Sequence, residues 1–192
     1  MNSPRLQRAF DYAATLHASD VRKGSRIPYL SHLLEVCATV MRYGGNEDAA
    51  IAALLHDAAE DHGGKPRLVD IQRNFGKAVA AIVQECTDST ETLKEPWEVR
   101  KKSYLRHLPK ASRAGLLVSA ADKLSNTRAI LADHYVIGDE VFKRFKRPKR
   151  RTLWYYNALC KVFSTHLRGN VPKELRRTVA ELNRVTRYKP GR

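Results

Sequence analysis

Apolar residues recur at three- and four-residue spacing almost from the start of this chain. In PRLQRAFDYAATLHAS (4–19), Leu6, Phe10, Ala13, Ala14 and Leu16 fall on one side of a 3.6-residue repeat. SHLLEVCATVMRYG (31–44) repeats the pattern, with Ser31 as the expected N-cap and Gly44-Gly45 as the stop. The next segment, NEDAAIAALLHDAAED (46–61), opens on a second cap residue, Asn46, and carries Glu47 and Asp48 where the helix dipole favours acids. It reads as one helix running to Gly63-Gly64. Further helices are predicted near 67–75, 76–86, 96–108, 111–132, 149–168 and 172–186. No stretch alternates apolar and polar residues long enough to argue a strand, so the pattern predicts an all-α bundle of about eight to ten helices in a single domain. Two cation-rich loops interrupt it, DVRKGSRIPY (20–29) and DHYVIGDEVFKRFKRPK (133–149), with Pro148 marking the start of the helix that follows.

A length of 192 residues suits one globular body, and 43% hydrophobic with 29% charged residues is ordinary for a soluble chain. No apolar run approaches the roughly 18 residues of a membrane span, and the N-terminus has no signal-like apolar core. Cys37, Cys86 and Cys160 are odd in number and form no CxxC pair, which points to reduced thiols and a cytoplasmic location. The formal charge of +15 changes the picture. It predicts a polyanionic partner: a phosphorylated small molecule, an acidic surface or nucleic acid. The basic residues gather late, in 143–151 and 172–192.

The candidate chemistry lies where the apolar run Ala49–Leu55 ends in His56-Asp57, with Glu60 and Asp61 following. On a continuous helix His56 lies over Glu60 and Asp57 over Asp61, and such a cluster at the end of a buried helix needs a positive partner. A divalent metal accepts imidazole and carboxylate together. His32, set among apolar residues in YLSHLLEV, offers a second imidazole. Asp122 stands with Lys123 and Asn126 in the apolar helix LLVSAADKLSNTRAIL, where a buried carboxylate also needs a partner.

The order H…HD…D, with its last member in an ADKxxN context, resembles the HD superfamily of metal-dependent phosphohydrolases. That resemblance implies His32, His56, Asp57 and Asp122 as metal ligands. HASDVRKGSRIPYLSHLLEV, ALLHDAAED, FGKAVAAIVQECTD and ADKLSNTR occur in the same order as in the hydrolase domain of the RelA/SpoT family, and the likeness to the small alarmone hydrolases spans roughly residues 5–168. It implies an HD-type helical domain over 1–170, followed by a basic C-terminal helix and tail over 171–192. It further implies a manganese-dependent 3′-pyrophosphohydrolase of (p)ppGpp, yielding GDP or GTP. In that reading Glu60 and Asp61 position or deprotonate the attacking water. Arg22 and Lys23 hold the guanine ring and phosphates, and Arg151 and Tyr155 lie near the ribose and phosphates. Asn126 helps bind the nucleotide, and Lys101 or a neighbour in EVRKKSYL meets the 5′ phosphates.

One departure is His32-Leu33, where relatives carry an HP pair; this alters the local helix start. Two other readings stand beside the first. The same chemistry serves other nucleotides, such as (p)ppApp, the 2′-phosphate of NADPH or a nucleoside monophosphate. Alternatively, an HD scaffold binds nucleic acid through its charge, although the basic residues are not interleaved with aromatics as in known modules. Five histidines (His17, His62, His107, His134 and His166) fit no ligand pattern and read mostly as structural or solvated. Trp97 and Trp154 read as packing residues, and of Tyr155 and Tyr156 one is expected in the core and one in a pocket. The oligomeric state is left open.

Overall fold

A computed structural model describes residues 3–89, 95–145 and 147–190. Its helices are α1 (Pro4–Leu16), α2 (Leu30–Arg42), α3 (Glu47–Leu55), α4 (Ala58–Asp61), α5 (Gly64–Phe75), α6 (Lys77–Cys86), α7 (Trp97–His107), α8 (Arg113–Ile137), α9 (Lys149–His166) and α10 (Val171–Val185). The fold is all-α, and no strand occurs among the described residues beyond one isolated bridge, Val21 to Pro28. No helix is long and apolar enough to cross a membrane.

Local chemistry sets most helix ends. Ser3 Oγ accepts the Leu6 N–H at 3.1 Å, Asn46 Oδ1 accepts that of Ala49 at 3.0 Å, and Ser112 Oγ accepts that of Gly115 at 3.0 Å. Pro148 precedes α9 as expected. Ser31 does not cap α2: the helix begins two residues earlier, at Leu30 after Tyr29, and the Ser31 hydroxyl donates to the Pro28 carbonyl at 2.8 Å. Leu33, in place of a proline, is fully buried in that helix.

Two helices form the centre. Every residue from Ala49 to Leu55 in α3 is buried, and α1, α2, α6 and α8 pack around it. Burying side chains such as Ile51 or Leu55 contributes about 1.5–3 kcal/mol each. The long helix α8 buries Leu116 through Asp122 and then Leu124, Ser125, Thr127 and Ile130 against α2, α3, α6, α9 and α10. The amphipathic helix α10 lays Leu175, Val179 and Leu182 against α8 and α9.

Two expectations need correction. The segment 46–61 is not one helix: α3 stops at Leu55, and His56-Asp57 form a turn before the short α4. The His56 ring bonds the Ala53 carbonyl at 2.8 Å, so a side chain takes a backbone acceptor that helix continuation would use. The stretch 133–149 is only partly a loop, since α8 runs to Ile137 and a 3₁₀ helix covers Gly138–Arg144.

The 20–29 loop is held by backbone bonds from Arg22 N–H to Ile27 at 2.8 Å and from Tyr29 N–H to Asp20 at 2.9 Å. Gly24 turns it with φ +72°, and a Cβ there would lie 2.5 Å from Cδ of Arg144. Glycine is therefore what lets the Arg144 side chain cross this loop.

Candidate metal centre and cleft

Three elements bring the four expected ligands together. His32 comes from α2, His56 and Asp57 from the turn between α3 and α4, and Asp122 from the middle of α8. His32 Nε2 lies 3.3 Å from Asp122 Oδ1 and 3.9 Å from Asp57 Oδ2. His56 Nε2 lies 3.0 Å from Asp57 Oδ2 and 3.7 Å from Asp122 Oδ1. Both imidazoles are 2% exposed and Asp122 is 4% exposed.

The far side of each ring sets its tautomer. Ser125 donates to Glu35 Oε2 at 2.6 Å, so its oxygen accepts the Nδ1 proton of His32 at 2.9 Å. The Ala53 carbonyl takes the Nδ1 proton of His56. Each ring thus turns an Nε2 lone pair inward, and neither Nε2 has a hydrogen-bond partner. Two unpartnered lone pairs converge with two carboxylates, and this donor set fits one divalent cation. The ligand atoms of His32, His56 and Asp57 lie within 4.8 Å of one another.

The electrostatics agree. Burial works against charge on His56, but Asp57 and Asp122 raise its pKa well above the ordinary histidine range. Burial keeps His32 below that range despite Asp122. Asp122, although buried, is held well below the usual carboxylate range by Lys123 and the two imidazoles. The site attracts positive charge, and a proton on His56 competes with a metal for it.

A further ring of contacts orients the carboxylates. The Tyr29 hydroxyl donates to Asp57 Oδ2, Lys123 Nζ to Asp122 Oδ2, and Asn126 Nδ2 to Asp122 Oδ1. Removing one such support tests the arrangement. Ser125→Ala deletes the acceptor of the His32 Nδ1 proton, and metal affinity measured by calorimetry should fall about 10–100-fold with helicity retained.

Two adjoining cavities, of about 530 and 810 Å³, share Lys23, Asn126, Phe145 and Tyr156 in their walls. The smaller also takes in His32, Arg22 and Arg144, and the larger Asp61, Arg100, Lys101, Lys123 and Tyr155. Arg22 is preset by a 2.9 Å bond to Asn126 Oδ1 and lies over the Tyr29 ring. Lys101 pairs with Asp88 at 2.9 Å and lies over the Tyr155 ring, and burial lowers its pKa. The Tyr155 hydroxyl is buried without a hydrogen-bond partner. Asp61 is exposed on the larger cavity, while Glu60 accepts the Asp88 N–H at 3.3 Å and lies 3.8 Å from Arg100.

Arg151 does not line either of these two cavities. It pairs with Glu98 at 3.1 Å and borders a separate depression with Arg150, Trp154 and Tyr188. Packing of α9 turns Thr152, Tyr155 and Tyr156 to the cleft instead, so both tyrosines line it rather than one. Trp97 also lines the larger cavity, edge-on to Tyr155 at 5.8 Å. Sequence reasoning assigned no role to Arg100, Arg144 or Tyr29. Lys123 was visible beside Asp122, and its buried charge was the signal.

The HD domain family matches residues 9–144, a span that includes all four converging side chains. Over 126 residues the chain is 39% identical to guanosine-3′,5′-bis(diphosphate) 3′-pyrophosphohydrolase MESH1 of Xenopus tropicalis, covering 64% of this chain and 68% of that protein. The Homo sapiens protein of the same name is 35% identical over 127 residues, covering 65% and 68%. A solved structure described as a metazoan ortholog of SpoT that hydrolyzes ppGpp superposes with a TM-score of 0.76 at 26% identity, over 95% of this chain and 97% of that one.

Proposed function

The chain belongs to the HD domain family, and from that premise we propose that it is a (p)ppGpp 3′-pyrophosphohydrolase, releasing pyrophosphate and GDP or GTP. The observation that carries the reading is the convergence of four acceptors, His32, His56, Asp57 and Asp122, beside a cleft rich in cations and large enough for a nucleotide.

In the reaction, water adds to the phosphorus nearest the ribose 3′ oxygen and the bond between them breaks, leaving the 3′ hydroxyl and pyrophosphate. Arg22, fixed by Asn126 and Tyr29, offers a planar fork to phosphate or a flat face to the purine. Lys23, Lys101 and Lys123 supply charge that offsets the substrate's own, and it counts for more in a partly buried cleft than in water. The buried Tyr155 hydroxyl supplies a donor for a ribose or phosphate oxygen. Glu60 and Asp61, on the short helix after the ligand turn, divide the positioning of the attacking water and the acceptance of its proton, one carboxylate acting as the base. His32, His56, Asp57 and Asp122 would hold the metal, which we take to be Mn²⁺, and it would supply Lewis-acid polarisation of the phosphoryl oxygen and a lowered water pKa. The three cysteines are unpaired, which supports the cytoplasmic assignment.

Purified protein with Mn²⁺ and ppGpp should release GDP and pyrophosphate in equal amounts, measured by anion-exchange chromatography. A panel containing ppApp, NADPH and nucleoside monophosphates distinguishes the substrate alternatives. No turnover on any member would defeat the enzyme assignment. Salt-sensitive RNA binding that persists in chelator would then favour the nucleic-acid reading.

A further inference from the structure

Two histidines that fitted no ligand pattern meet beside the cleft. His17 ends α1, His62 ends α4, and Asp20 lies in the loop that follows His17. His17 Nδ1 is 2.8 Å and His62 Nε2 is 2.6 Å from the same oxygen, Asp20 Oδ2. The rings stand at 86° with centroids 4.7 Å apart. One ligand atom from each of the three residues lies within 4.8 Å of the other two.

Burial is graded across this cluster. The His17 side chain is 1% exposed, whereas those of His62 and Asp20 are 27% and 32% exposed. The nitrogen that His17 turns into the cluster is Nδ1, held at its position by a ring that is almost completely buried, so this donor is fixed by packing while His62 and Asp20 face solvent. Two imidazoles and a carboxylate, open to solvent on one side, form a donor set suited to a zinc-type ion with a fourth position for water.

The surrounding contacts give such an ion a task. The Asp20 carbonyl accepts the Tyr29 N–H at 2.9 Å, and the His17 ring stacks on Tyr29 at 5.2 Å. Tyr29 in turn donates to Asp57. The His62 carbonyl accepts from Arg67 Nε at 2.8 Å, and His62 directly follows Asp61. The cluster therefore joins the end of α1, the loop carrying Arg22 and Lys23, and the end of α4 carrying Glu60 and Asp61.

We propose that His17, Asp20 and His62 form a second divalent-metal site, of zinc type, that clips the cationic loop to α4 at the edge of the cleft. It stands independently of the phosphohydrolase assignment, since it uses none of the four residues of the first centre.

Metal counting tests it. The full chain, stripped with chelator, is loaded with Zn²⁺, desalted and assayed for bound metal by mass spectrometry. Wild type should hold two equivalents, His62→Gln and Asp20→Asn one each, and Asp122→Ala one. Combining His62→Gln with Asp122→Ala should leave none. His62 and Asp20 are part-exposed, so these two variants are expected to keep wild-type helicity by circular dichroism. Co²⁺ loaded into Asp122→Ala should give the visible absorption of a four-coordinate ion, lost in the double variant. Wild-type stoichiometry unchanged by both His62→Gln and Asp20→Asn would overturn the second site. One equivalent in wild type that disappears with His62→Gln would support it while defeating the first centre.

Discussion

Replacing Asp122 by alanine is expected to abolish metal retention at the His32–His56–Asp57–Asp122 centre and turnover together. Its Oδ1 is near both imidazole Nε2 atoms, at 3.3 and 3.7 Å, so the change removes a quarter of the donor set and the charge that draws a cation there. Losing a residue that merely supports a ligand costs about 10–100-fold in metal affinity, so losing a ligand should cost more than about 100-fold. The same change strands Lys123, whose Nζ pairs with Asp122 inside the bundle. Breaking a buried pair from one side costs about 3–5 kcal/mol. Asp122→Asn retains shape and leaves hydrogen-bonding capacity for Lys123, so it separates a missing ligand from a damaged fold. Both variants should show loss of tight Mn²⁺ binding by calorimetry and loss of pyrophosphate release. Asp122→Asn with wild-type metal affinity would remove Asp122 from the ligand set.

Much of this centre was readable because its signals are local. Asp122 stood out as a carboxylate inside an apolar helix, and burial turns such a residue into a demand for a partner. Helix starts at Asn46 and Pro148 followed from capping chemistry confined to a few residues. The break at His56-Asp57 was not readable, because the residues on both sides are good helix formers and only the His56 bond to Ala53 marks the turn. Arg151 lies away from the two cavities for a rotational reason. Adjacent helix positions differ by about 100° in direction, and packing of α9 against α8 and α10 decides which of them meets the cleft. The His17–Asp20–His62 cluster was hidden by distance, Asp20 and His62 being 42 positions apart. Donor atoms also define a metal site without naming its ion, so Mn²⁺ rests on resemblance and the divalent site on geometry.

The second large effect concerns rate without binding. Glu60→Gln exchanges one oxygen for nitrogen on α4, preserves volume and leaves His32, His56, Asp57 and Asp122 untouched, so metal stoichiometry and helicity should stay at wild-type values. One Glu60 oxygen accepts the Asp88 N–H and the other lies 3.8 Å from Arg100, so the carboxylate is held between a backbone donor and a cation beside the cleft. A glutamine can still accept the Asp88 bond through its carbonyl, and the position should not collapse. What it cannot do is take a proton from water. General-base catalysis contributes about 10²–10⁴-fold, and kcat should fall by that order while KM stays within about threefold. A purely structural Glu60 would instead move KM and thermal stability with kcat little changed. Asp61→Asn, at the exposed wall of the larger cavity, divides the work further. If Glu60 is the base, Asp61→Asn should lower kcat by less than Glu60→Gln does, and the reverse ranking would assign the proton to Asp61.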